Sequence, residues 1–70
     1  MKMTKEEIEL KYKELRFAYF NFCKSDDEFK EKYSNENTLI KEKVIQYKNT
    51  SFKDVNQIAE KVAEECLNFM

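Results

Sequence analysis

Leu15-Arg16-Phe17-Ala18-Tyr19-Phe20-Asn21-Phe22-Cys23 is the densest aromatic stretch of the chain, and its reading decides the fold. At about 100° per residue, a helix carries Ile8, Tyr12, Leu15, Tyr19, Phe22 and Cys23 on one stripe. Leu10, Phe17 and Phe20 point to the other side. A helix apolar on both sides is either enclosed on both or keeps a second face for a partner.

Upstream, Thr4 and Glu7 stand at capping-box spacing, and Met3 and Ile8 occupy the staple positions around them. The first helix is predicted from residue 5 to residue 23 or 24. Downstream, Ser25 and Glu28 open a second capping box, and Asp26 and Asp27 place negative charge at the positive end of a new helix. That helix, 26–33, is short, with Phe29 and Tyr33 one turn apart on one face. In Ser34-Asn35-Glu36-Asn37 the side chains compete with the backbone for hydrogen bonds, which predicts a break. The alternative is one long helix over 26–48.

A third helix is predicted over 38–48, with Ile40, Val44 and Tyr47 as its stripe, Leu39 alongside, and Ile45 off the stripe and partly exposed. Asn49-Thr50-Ser51 ends it, and Ser51 with Asp54 repeats the capping pattern. The fourth helix, 52–69, is the cleanest amphipath. Val55, Ile58, Ala59, Val62, Ala63, Cys66 and Phe69 share one side, with Leu67 near its edge. Ala59 and Ala63, one turn apart, allow another helix to approach closely. The fold class is therefore all-α: a single domain over 1–70, a small compact helical bundle of three long helices and one short one.

The bulk composition supports this. Glycine and proline are both absent, so turns needing a positive φ fall to Asn, Asp or Ser, and Asn-Gly hairpins cannot form. A charged fraction of 39% fits helices joined by short polar links. The charges are interspersed and sum to −1, which gives no general pull toward nucleic acid or anionic lipid. Seventy residues bury only about 60% of the surface exposed when unfolded, so the core is small and self-association stays open. No segment approaches the roughly 20 apolar residues of a membrane span. The opening Met-Lys-Met-Thr-Lys-Glu-Glu has no apolar run behind it, so no signal peptide is expected. Cys23 and Cys66 are expected as reduced, buried thiols of a cytoplasmic protein. Abundant Lys, Asn, Ile, Phe and Tyr beside scarce Arg and Ala point to AT-rich coding, as in AT-rich bacteria and their phages.

Catalytic chemistry finds little to work with. Without histidine the Cys-His and Ser-His arrangements are impossible, and two cysteines cannot furnish a usual structural zinc site. Without glycine neither a phosphate loop nor an EF-hand turn can be built. The carboxylates of Asp26, Asp27 and Glu28 are accounted for by capping, and those of Glu60, Glu64 and Glu65 by a solvated face. No enzyme, no cofactor and no metal is expected. Tyr12, Tyr19, Tyr33 and Tyr47 read as core-edge residues with their hydroxyls outward.

One surface is suggestive. On the back of the first helix Lys13, Arg16 and Lys24 flank Phe17 and Phe20. Such a set serves as a protein-binding hot spot, or grips single-stranded nucleic acid by stacking and phosphate contact. The plainer alternative packs both rings under the short second helix. A ridge of Glu60, Glu64 and Asn68 is a lesser candidate, for a basic partner groove. The expected function is a non-enzymatic protein-binding module that occludes or scaffolds a larger protein, with Phe17 and Phe20 as anchors and Lys13, Arg16 and Lys24 as polar rim. A structural homodimer and a single-stranded nucleic-acid binder are the alternatives. In general profile the chain is similar to small inhibitors and accessory proteins of phages and mobile elements, a similarity of type that transfers no residue.

Overall fold

The structure is a computed structural model and describes residues 3–50 and 52–69, with the side chains of all of these except Phe52 and Phe69. The described residues are all-helical, without a strand, and form a small compact bundle. The order is α1 (Lys5–Phe22), α2 (Asp26–Lys32), α3 (Thr38–Gln46), a single 3-10 turn at Phe52–Asp54, and α4 (Val55–Phe69).

The local start signals operate as chemistry. Thr4 and Glu7 form the reciprocal capping box of α1: the Glu7 amide donates to Thr4 Oγ1 at 3.2 Å and the Thr4 amide to Glu7 Oε1 at 2.9 Å. At α2 the Ser25 hydroxyl accepts from the Glu28 amide at 3.1 Å, but Glu28 reaches one residue further back, to the Lys24 amide at 3.2 Å. The break over 34–37 is real, and its last residue, Asn37, caps α3 by accepting from the Ile40 amide at 3.1 Å. The fourth helix begins later than the amphipathic pattern suggests, because residues 52–54 wind as a 3-10 turn before α4. The expected Ser51–Asp54 cap and the place of the Phe69 ring lie outside the described residues.

Glycine, the usual left-handed residue at a helix end, is absent, and among the described residues no φ is positive. Asn, Asp and Ser do not fill that role either. Instead α1 ends where Cys23 turns extended (φ −123°, ψ 145°), and α2 and α3 end in tight turns closed by Glu36 N–H to Tyr33 O (3.0 Å) and Thr50 N–H to Tyr47 O (3.1 Å).

The core draws on all four helices: Ile8, Tyr12 and Leu15 from α1, Phe29 from α2, Ile40 and Val44 from α3, and Ala59, Val62, Ala63 and Cys66 from α4. Ile45 packs at its margin, half-buried, and Leu67 sits exposed at the edge of α4. Helix α1 lies chiefly against α4 and then α3. Helix α2 is fastened by Phe29, whose ring stands edge-to-face with Tyr19 at 5.1 Å and tilted against Tyr33 at 5.5 Å between centroids. It is fastened also by Asp26, which accepts from the Tyr19 hydroxyl and pairs with Lys48 at 3.2 Å.

The Cα envelope measures 29 × 28 × 15 Å. Two packed helices account for its thin dimension, since interaxial spacing is about 8–10 Å and each Cα cylinder adds about 2.3 Å beyond its axis. The bundle is two layers deep, and every helix keeps one face toward solvent.

The close α1–α4 contact rests on Ala59 and Ala63, both without exposed surface. Ala63→Leu forces the helices apart and is expected to cost about 1–3 kcal/mol by chemical denaturation. Thr4→Ala, which removes only the cap, is expected to cost about 1 kcal/mol.

Candidate functional site

The solvent face of α1 carries Leu10, Phe17 and Phe20, which are 60%, 60% and 53% exposed. The plainer alternative, rings tucked under α2, is not what the structure shows: α2 covers Phe29 and leaves Phe17 and Phe20 open. Helical spacing explains the set, because residues 10, 13, 17 and 20 recur every three or four positions. Leu10 belongs to this face as well, seven residues before Phe17, although sequence reasoning does not count it among the candidate site residues.

Phe22 departs from expectation. It is placed on the core stripe by periodicity, yet it is 56% exposed. It is the last residue of α1, and with Cys23 already extended no packed turn follows to enclose it. Its ring turns back to meet Phe17 edge-on, at 6.3 Å between centroids, so the exposed aromatic surface extends to the helix end. Cys23 itself is half-buried rather than buried.

Arg16 is the larger correction. Expected on the polar rim, it is only 4% exposed. One terminal nitrogen donates to the Tyr12 hydroxyl at 3.2 Å and to the Tyr47 carbonyl at 2.9 Å. The other donates to the Thr50 carbonyl at 2.6 Å. Tyr47 is the C-cap of α3, so the guanidinium caps that helix end, where carbonyls lack intrahelical partners and the helix dipole favours a cation. The guanidinium carbon also lies 5.1 Å from the centre of the Phe20 ring, within cation–π range. Its Nε is buried without a hydrogen-bond partner. Arg16 therefore supports the face from beneath and is no surface cation.

Lys13 and Lys24 are exposed, and neither makes a side-chain hydrogen bond or ion pair among the described residues. Lys24 lies past the end of α1, so helical spacing no longer sets its position. Lys13, Arg16, Phe17, Phe20, Asn21 and Val55 line an open, mostly apolar hollow of about 310 Å³. Asn21 holds the last turn by donating to the Phe17 carbonyl at 2.8 Å.

The lesser candidate, the Glu60–Glu64 ridge, is partly neutralised: Lys5 stands 3.6 Å from Glu60 and 3.8 Å from Glu64. The tyrosines sit as core-edge residues with one exception. The Tyr19 and Tyr47 hydroxyls donate to Asp26 and to Glu65 (3.0 Å), whereas Tyr12 is wholly enclosed, its hydroxyl met by Arg16. Burial pushes the Tyr12 phenol up, against the opposing pull of Arg16. Burial likewise raises the Cys66 and Cys23 thiols, which leaves both poor nucleophiles at neutral pH. Among the described residues no group of three or more Asp, Glu or Cys side chains stands close enough to hold a metal ion, and no helix is long and apolar enough to cross a membrane. Compared with protein-family models, curated proteins and solved structures, the chain matches none of them.

Arg16→Met, which keeps the apolar stem but removes the donor to the Thr50 carbonyl and one of the two donors to the Tyr47 carbonyl, is expected to cost about 2 kcal/mol by urea denaturation. Arg16→Lys, with one compact ammonium in place of the fork, is expected to recover only part of that. Two carboxylates set the acid limb. Tyr19 and Lys48 hold Asp26 below the usual range, and Lys43, 2.9 Å away, does the same for Glu65. A depressed carboxylate contributes stability that is complete above its unfolded value and disappears as pH falls through its folded one. Asp26→Asn and Glu65→Gln are each expected to flatten the urea midpoint between pH 5 and pH 2, roughly the window of acid titration.

Proposed function

We propose that this chain is a non-enzymatic protein-binding module that works in the cytoplasm through the solvent face of α1. It acts by occlusion, as a small inhibitor or accessory protein of the phage or mobile-element type, covering a surface on a larger protein. The observation that carries this reading is the exposure of Phe17 and Phe20 beside Leu10 and Phe22 on one side of the bundle, where each is more than half exposed, against 38% for Leu67, the other exposed large apolar side chain among the described residues. Adjacent exposed rings of this kind mark interaction surfaces, whereas single exposed apolar residues do not.

The division of labour follows from the geometry. Phe17 and Phe20 are the anchors. Phe20 is steadied by the Arg16 guanidinium behind it, which reduces the side-chain freedom that binding must remove. Lys13 and Lys24 provide the polar rim. Arg16 contributes from below and leaves Lys13 and Lys24 as the exposed members of this cation set, a weak basis for the phosphate tracking that single-stranded nucleic acid needs.

The test uses lysate of the source cell or its host, passed over immobilised chain. A partner retained by the wild type is expected to be lost, or weakened about 30-fold or more, with Phe17→Ser/Phe20→Ser, the size of a hot-spot truncation. The same variant is expected to melt close to wild type, because surface substitutions usually change stability by about 0.5 kcal/mol or less. If the variant unfolds easily yet still captures the partner, the rings belong to the fold and the proposal fails.

A further inference from the structure

We infer that a hollow lined by α2 and the first turns of α3 is an anion site that takes the phosphoryl group of a small molecule. It goes beyond the proposed docking face, because its lining residues belong to α2 and α3.

The argument starts from Lys41. Among the described residues the buried charged side chains are Arg16 and Lys41, at 4% and 6% exposure. Arg16 has the Tyr12 hydroxyl and two carbonyls as acceptors. Lys41 has neither an ion pair nor a side-chain hydrogen bond among the described residues. An exposed lysine without a partner is ordinary, whereas an enclosed one is rarely left unpaired. Its stem gains from enclosure, but its ammonium brings three donors that no protein acceptor meets.

Lys41 lines an open hollow of about 260 Å³ with Thr38, Glu42 and Ile45 of α3 and Lys30 of α2. Residues 38, 41, 42 and 45 recur at helical spacing and share one face of α3. Helical side chains lean toward the N-terminus of their own helix, which carries the Lys41 ammonium toward the first turn, where Thr38 stands. That turn is electropositive in itself. Its first amides have no intrahelical acceptor, the Asn37 side chain takes that of Ile40, and no acid stands in it. Lys30, Lys41 and the helix end therefore set positive potential on one hollow, opposed there by the carboxylate of Glu42.

This chemistry selects a compact, multiply charged anion. A phosphoryl group offers oxygens to both ammoniums, to the Thr38 hydroxyl and to the open amides at once. Lysine suits it as a point charge, without the planar match that a guanidinium gives a carboxylate. The hollow is just under the usual range of about 300–1,000 Å³ for small-molecule pockets, so the ligand is small. Half-buried Ile45 gives an organic tail something apolar to rest on, and Glu42 accepts from a hydroxyl on it. Free phosphate and a small phosphate ester share the recognised group.

Amide NMR spectra of the full chain during titration with inorganic phosphate, with glycerol phosphate, and with sodium chloride at matched ionic strength test the site. Saturable shifts at the Thr38–Lys41 amides are expected with either phosphate and not with chloride, at a dissociation constant of roughly 1–10 mM for inorganic phosphate. Several-fold tighter binding of glycerol phosphate assigns the source as an ester, and equal binding assigns it as free phosphate. Lys41→Met, which keeps the stem, is expected to weaken binding about tenfold. Lys30→Gln is expected to weaken it about threefold, and Glu42→Gln to tighten it about twofold. Circular dichroism melts check that each variant is folded, and Lys30→Gln, at an exposed position, carries the test should Lys41→Met unfold. Shifts that chloride reproduces overturn the inference, and so does phosphate affinity unchanged in Lys41→Met or in Lys30→Gln. The Phe17→Ser/Phe20→Ser variant is expected to bind phosphate as wild type does, so this site and the docking face fail separately.

Discussion

A single guanidinium ties this protein together. Arg16 stands on α1 and closes the end of α3, donating to the carbonyls of Tyr47 and Thr50 across 31 and 34 residues of sequence. The chain needs it because it has no glycine. A helix normally ends by a residue in the left-handed region, whose amide returns to an orphan carbonyl. Here the Tyr47 carbonyl, which also accepts from the Thr50 amide, and the Thr50 carbonyl are met by a cation from a neighbouring helix, whose planar fork reaches two acceptors at once. Among the described residues no carboxylate is paired with Arg16, so its counter-charge is the negative end of the α3 dipole. The same group sits behind Phe20 and steadies the exposed ring. Core, helix terminus and surface face therefore share one residue.

What the sequence made visible was mostly local. The Thr4–Glu7 box, the Ser25 cap, the break over 34–37 and the apolar stripe of α4 are written within four or five residues, and each has its counterpart in the structure. Residues Phe17 and Phe20 were legible as a second face because periodicity alone places them away from Ile8, Tyr12 and Leu15. Arg16 was not. It lies at the boundary between the two faces, and a charged residue there reads as rim unless its distant carbonyl partners are known. The available hint was Tyr12 one turn earlier, a buried hydroxyl able to accept from it. Phe22 was misplaced for a different reason: helical periodicity holds only while the helix and its neighbours continue, and both stop there.

The exposed face follows from geometry as much as from composition. A chain of this length makes two layers of helix, and a long central helix in two layers cannot be covered on both sides. Enclosing Phe17 and Phe20 would require a third layer, which α2 is too short to supply while it holds Phe29 in the core. The short helix is instead fixed by an aromatic cluster and by the Tyr19–Asp26–Lys48 chain, which links the end of α1, the start of α2 and the end of α3. Phe29 supplies the buried part of this attachment, whereas the polar part lies near the surface, where such contacts are individually weak.

The right-handed and extended backbone has a consequence for the unfolded chain. An average sequence of this length carries about five glycines, each free to wander through conformations that other residues cannot reach. Exchanging a glycine for another residue at a tolerant site stabilises by about 0.4–1 kcal/mol, chiefly because the denatured ensemble shrinks. With none, the disordered chain has less freedom to surrender on folding, although the missing prolines offset part of the gain. A small hydrophobic interior can then suffice where a looser chain would require a larger one.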